Sequence, residues 1–237
     1  MTRQRRIVSR SAWLGERRAF LEQEKQLTRL RDELSEKRRA LPWVEVEEPY
    51  VFDGPNGKTT LLDLFEGKSQ LVVHHFMFAP DWEAGCKSCS FWGDSFDGAV
   101  LHLAARDVSF TAVSRAPYPK LRAYAGRLGF TFPWVSSGDN GFNATYGVYF
   151  TPEAIAQGEE SYNYGTFRVQ GSDMPGVSVF ARDDERIFHT YSTYGRGIDA
   201  LNVTYRLLDL VPNGRDESAR PMTWVRRNDE YAADRAS

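Results

Sequence analysis

From residue 11 to 41, apolar side chains return at every seventh position, at Trp13, Phe20, Leu27, Leu34 and Leu41, and Leu14, Leu21 and Leu30 widen the stripe. Charged residues such as Glu16, Arg17, Glu24, Arg31, Glu36 and Lys37 fill the remaining positions, and no proline interrupts the run before Pro42. This period predicts a long helix over 11–40, with Ser11 as N-cap and Pro42 as stop. A single apolar stripe suits a surface helix laid across its own domain. The positions three or four after each heptad residue are mostly charged, which argues against the two-position seam of a coiled-coil arm. A homodimer through this helix is the second reading.

Beyond Pro42 the period changes. Residues 43–53 (WVEVEEPYVFD) alternate as a strand or strand pair and run into a turn at Gly54-Pro55-Asn56-Gly57. A short helix is expected at 59–67, ended by glycine, and a largely buried strand at 68–78. Apolar residues at helical spacing over 91–105 predict an amphipathic helix. A strand at 108–114, a helix at 117–128 closed by Gly129 and a short strand at 132–135 follow. Strands alternating with helices in this order imply right-handed crossovers and a parallel core. Residues 136–165, rich in Gly, Ser, Asn and Tyr, read as a loop-rich insertion with a short helix at 152–157. A β-hairpin pairs 177–180 with 186–191, and a closing helix covers 201–210. The chain therefore divides into an N-terminal helical extension (1–42), an α/β domain (43–211) and a polar surface tail (212–237). No internal repeat is visible.

Composition narrows the function. The 237 residues are 41% hydrophobic and 26% charged, as a folded chain requires, and the net charge of −2 favours neither nucleic acid nor an anionic membrane as partner. No run of about 18 apolar residues suggests a membrane span, and the basic start lacks the apolar core of a signal peptide. A cytoplasmic location is the expectation.

In a reducing compartment the two cysteines, Cys86 and Cys89, are poor candidates for a structural staple. They stand in HHFMFAPDWEAGCKSCSFW (74–92), between the core strand and the 91–105 helix, the sequence form of a thioredoxin-type site. At a helix N-terminus the free N–H groups and the dipole favour a thiolate on Cys86, and Lys87 adds positive charge. Cys89, one turn deeper, is the candidate resolving thiol. A copper or zinc site built from Cys86, Cys89 and His75 or His189 is the alternative, although structural zinc ordinarily takes a second cysteine pair. Strand alternation sends His74 and His75 to opposite faces. Trp82 and Trp92 flank the dithiol as water-excluding walls, and Asp81 is a candidate proton acceptor for Cys89. Arg115 stands at the carboxyl end of a strand, where α/β sheets place ligands. Tyr191, Tyr194 and Arg196 are further candidates for lining the cleft.

Taken together, the 74–92 stretch, SRAPYPKL, FPWVSS, GSDMPGVSVFARDD, IFHTYSTYGRG and WVRRNDEY resemble the DUF899 family over nearly the whole chain. The resemblance implies a thioredoxin-like mixed α/β sheet flanked by helices and a thiol-disulfide or peroxide-related activity, without naming a substrate; the dithiol reading itself expects a small-molecule or protein thiol or disulfide as partner and no required cofactor. In thioredoxin-like folds a cis-proline before the late hairpin faces the dithiol, and Pro175 occupies that place. Two departures stand out: Lys-Ser replaces the Gly-Pro of ordinary thioredoxins behind a longer loop, and the peroxidatic Pro-x-x-x-Thr/Ser-x-x-Cys motif of peroxiredoxins is absent.

Overall fold

A computed structural model describes residues 6–158, 161–169, 171–217 and 221–235. The parts of the basic start, the insertion and the tail at 1–5, 159–160, 170, 218–220 and 236–237 lie outside the described residues. The chain forms two compact units, Met1–Pro42 and Trp43–Ser237.

The first unit is helix α1 (Arg10–Arg39). Its N-cap is Ser9 rather than Ser11, because the Ser9 hydroxyl accepts the Ala12 N–H. Lys37, Arg38 and Arg39 in the last turn complement the helix dipole. No residue of α1 is buried, and Trp13, Phe20, Leu27, Leu30 and Leu34 are exposed.

In the second unit, β1 (Val44–Glu45), β2 (Val51–Gly54), β3 (Gly57–Thr60), β4 (Gln70–His75), β5 (Val108–Ser114), β6 (Trp134–Ser136), β7 (Gly176–Asp183) and β8 (Arg186–Tyr194) form one sheet in the order β1-β8-β7-β4-β5-β6-β2-β3. Strands β4, β5 and β6 are parallel, whereas β7 lies antiparallel to β4 and β8 antiparallel to β7. Helices α2 (Lys87–Asp97), α3 (Val100–Ala104) and α4 (Tyr118–Leu128) supply the crossovers. The result is the thioredoxin-like mixed sheet flanked by helices. Side-chain alternation on β4 divides the core. Leu71 and Val73 join Phe52, Phe65, Phe142 and Phe180 on one face. On the other, Phe76 packs with Cys89, Leu121, Tyr124 and Trp134.

Several expectations are corrected. Thr59 and Thr60 belong to a strand, since β2 and β3 close a hairpin with Gly54 opposite Gly57 and only Asp63–Phe65 coils, as a single 3-10 turn. The 91–105 helix starts earlier, at Lys87, and is broken at Gly98. The 201–210 helix shortens to Val203–Leu208, with the Asn202 side chain capping Tyr205 N–H. The polar tail is no free extension. Val225 is fully buried against Phe91, Trp92 and Tyr205, and the Glu217 carboxylate accepts from Tyr205 Oη, Trp224 Nε1 and the Met222 N–H.

Candidate active site

Past β4 the chain continues as a pseudo-strand beside β5. Phe76 N–H donates to Val113 C=O, and Ala116 N–H to Phe78 C=O. Met77, between them, holds both cysteines: its carbonyl accepts from Cys86 N–H at 3.0 Å and its N–H donates to Cys89 Sγ at 3.4 Å. Gly85 then brings the loop against the core, because a Cβ there would lie 2.8 Å from Phe76 Cε1 and 2.9 Å from Tyr124 Cε1. Gly85→Ala is expected to cost about 1–3 kcal/mol through overpacking, readable as a lower midpoint in urea unfolding; an unchanged midpoint would show that the rings yield freely.

Cys86 is the N-cap of α2 and is half-buried, Cys89 is buried one turn below it, and both are free thiols. Hydrogen bonds set their acidities apart. Donation from the Cys89 thiol, aided by the Cys89 and Ser88 backbone N–H groups and the Ser88 hydroxyl, holds Cys86 down at about 6 against the opposing effect of burial. Burial pushes Cys89 well above the ordinary thiol range, and its hydrogen bond to Cys86 and the Cys86 charge add to the shift. The turn is braced by Ser90, whose hydroxyl donates to Cys86 C=O at 2.9 Å and meets Tyr124 Oη at 2.9 Å.

A cavity of about 1230 Å³ opens beside Cys89. Trp92, Pro175, Arg196 and Tyr205 line it, together with His74 and Tyr162. Trp92 is fixed by donating from Nε1 to Ile198 C=O at 2.9 Å. Trp82 packs instead on the aromatic core around Cys89 and Tyr124. Tyr191 pairs with Val179 and is not among the lining residues; Tyr194 takes the place opposite Gly176, next to Pro175. Gly176 is required there, since a Cβ would come within 2.7 Å of Tyr194 Cδ1.

The Met174–Pro175 bond is trans, as there is no cis peptide among the described residues, which corrects the expectation of a cis-proline. Its surroundings also differ from an open docking edge. Met174 N–H donates to Val148 C=O at 2.9 Å, and Pro175 C=O accepts from Tyr162 Oη at 2.7 Å. Arg115 turns away from the cavity toward Asp173, donating at 3.1 Å, and stacks its guanidinium 3.6 Å from the centre of the Tyr149 ring. Asp173, not Asp81, is the buried carboxylate whose charge reaches Cys89. Burial raises its pKa against the pull of Ser172 and Arg115. The sequence offers no local signal for Tyr162, which is recruited from the loop-rich insertion, and marks Asp173 only by its place two residues before Pro175.

The alternative metal set is not assembled. His75 and His189 lie on the face of the sheet opposite Cys86 and Cys89, His75 stacked on Tyr146 and His189 edge-on to it, and they are joined through hydroxyls: His75 Nε2 to Ser178 Oγ, Ser178 to Ser192, and Ser192 to His189 Nε2, each at 2.7 Å. Burial lowers the pKa of both rings, that of His75 to about 3. Among the described residues, no group of three or more His, Cys, Asp or Glu is placed to hold a metal ion.

A family model described as a bacterial protein of unknown function matches residues 2–231. The chain belongs to the DUF899 family. No curated protein matches it. Among solved structures, this DUF899 chain is similar to Xanthomonas campestris peroxiredoxin Q, with 15% identity, a TM-score of 0.49, and coverage of 69% of this chain and 93% of that one. It is also similar to the peroxidoxin BcpB of Mycobacterium tuberculosis, with 14% identity, a TM-score of 0.45, and coverage of 70% and 97% respectively. Among the described residues of the DUF899 chain, no helix is long and apolar enough to cross a membrane.

Proposed function

We propose that this chain is a thiol-disulfide oxidoreductase with Cys86 as nucleophile and Cys89 as resolving thiol. The observation that carries the reading is the asymmetry of the pair: Cys86 accepts hydrogen bonds at a helix N-terminus, and Cys89 is buried and keeps its proton. The Cys86 thiolate attacks one sulfur of a disulfide R–S–S–R′, forming Cys86–S–S–R and expelling R′–S⁻, which takes up a proton. Cys89 then gives up its proton to the second leaving group as it attacks the Cys86 sulfur. The products are the Cys86–Cys89 disulfide and two thiols, two electrons having passed to the substrate. A separate dithiol reductant returns the pair to the reduced state.

The rate of Cys86 alkylation by iodoacetamide tests the premise. Because the pKa is held at about 6, the rate is expected to be level at pH 7–8 and to fall about tenfold per unit once the pH drops well below the midpoint. A midpoint near the ordinary thiol value of about 8.5 would sink the assignment.

A further inference from the structure

His74 forms part of the wall of the Cys89 cavity, is fully buried, and finds no hydrogen-bond partner for either Nδ1 or Nε2 among the described residues. Its neighbour His75, on the other face of β4, bonds Ser178 through Nε2. Phe76 and Phe96 hold the His74 ring edge-on, at centroid distances of 5.5 and 5.0 Å, and offer it nothing polar. A neutral imidazole carries one N–H and one lone pair, and leaving both unpaired in an apolar wall is costly. The arrangement makes physical sense if the partner is a ligand delivered by the cavity.

The rest of the cavity indicates the kind of ligand. Trp92, Tyr162 and Tyr205 offer flat apolar walls, and Asp209, Asn213, Arg215, Asp216 and Glu217 add polar groups to the lining. At the Met174–Pro175 edge the main chain is already engaged by Val148 and Tyr162, so an incoming polypeptide has no free strand edge to pair with there. We propose that the substrate of the Cys86–Cys89 pair is a low-molecular-weight disulfide with a flat, largely apolar body and a hydrogen-bonding head group received by His74, not a protein disulfide. This rests on the redox reading above.

Steady-state kinetics on the full chain, with 2,2′-dithiodipyridine as the small aromatic probe and insulin as the protein probe, separate the outcomes when each rate is divided by that of free cysteine thiolate with the same probe. The normalised rate with the aromatic disulfide is expected to exceed that with insulin by at least about tenfold and to saturate. His74→Leu is expected to raise KM about tenfold, the equivalent of about 1.4 kcal/mol, with kcat little changed, and His74→Gln, which keeps a donor and an acceptor, to recover most of the loss. Because Leu removes an unpaired polar group from an apolar wall, the melting temperature of His74→Leu is expected to hold or rise. An insulin rate equal to or above the aromatic one, or an unchanged KM in His74→Leu, overturns this inference and leaves the dithiol chemistry standing. Undiminished turnover of both probes by Cys86→Ser overturns the redox reading itself. The comparison of probes uses the wild-type chain, so it decides even if a His74 variant fails to fold.

Discussion

Cys86→Ser is expected to abolish reduction of small disulfides, by about a thousandfold or more, because a serine hydroxyl at the same N-cap is not ionised at neutral pH. Cys89→Ser is expected to behave differently. Attack on the substrate survives, one equivalent of thiol is released, and the chain stops as a mixed disulfide on Cys86, visible as an adduct in the intact mass. Cys89→Ala separates a second contribution, since it removes the thiol that donates to Cys86. The alkylation midpoint should then move up from about 6 toward the ordinary thiol value. An unmoved midpoint in Cys89→Ala would mean that the backbone N–H groups alone hold the thiolate. Multiple turnover in Cys89→Ser would remove Cys89 from the mechanism.

The largest stability effect is expected at Asp173. Its carboxylate is buried and its main partner is Arg115, whose side chain is 12% exposed. Asp173→Ala leaves the guanidinium over Tyr149 with, among the described residues, the exposed Asp139 at 3.5 Å as its remaining ion pair. Removing one member of a buried pair costs about 3 kcal/mol or more, which in a unit of this size lowers Tm by roughly 6–12 °C. Replacing both, as in Arg115→Met with Asp173→Leu, should restore much of the loss, because the uncompensated charge disappears together with its partner. A Tm drop of under about 2 °C for Asp173→Ala would show that water reaches and solvates Arg115 freely.

Local chemistry made much of this legible in the sequence. The apolar run of β4, the Cys-Lys-Ser-Cys spacing and the helical period after it place the dithiol at a helix start, which is where Cys86 stands. The proline-opened, glycine-closed α4 and the short helix Pro152–Gln157 likewise carry their caps within their own residues. What escaped depends on distant partners. Thr59 and Thr60 are β-branched residues drawn into a hairpin by their pairing with β2, overriding the apolar spacing that suggested a helix. Alternation separates His74 from His75, yet both faces of β4 are buried, so nothing local says which one shares a wall with Cys89. Of the two candidate tyrosines on β8, Tyr194 and not Tyr191 stands opposite Gly176, and a bulge between Val179 and Phe180 sets that register in a way no period-2 pattern announces. The tail looked dispensable because its composition is polar, and composition does not show that Val225 and Arg227 have buried destinations.

Arg227 gives that last point a mechanical side. Its guanidinium donates to Gly85 C=O at 2.9 Å and to Tyr124 Oη at 2.6 Å, while its neighbours Asn228 and Asp229 fasten to Leu128 C=O and Arg127 on α4. The Gly85 carbonyl belongs to the peptide that carries Cys86 N–H, so a residue more than a hundred positions away pins the plane from which the nucleophile hangs. The chain in effect ties off its own reactive loop with its last turns. Losing Arg227 would take from the Gly85–Cys86 peptide the guanidinium that holds its carbonyl.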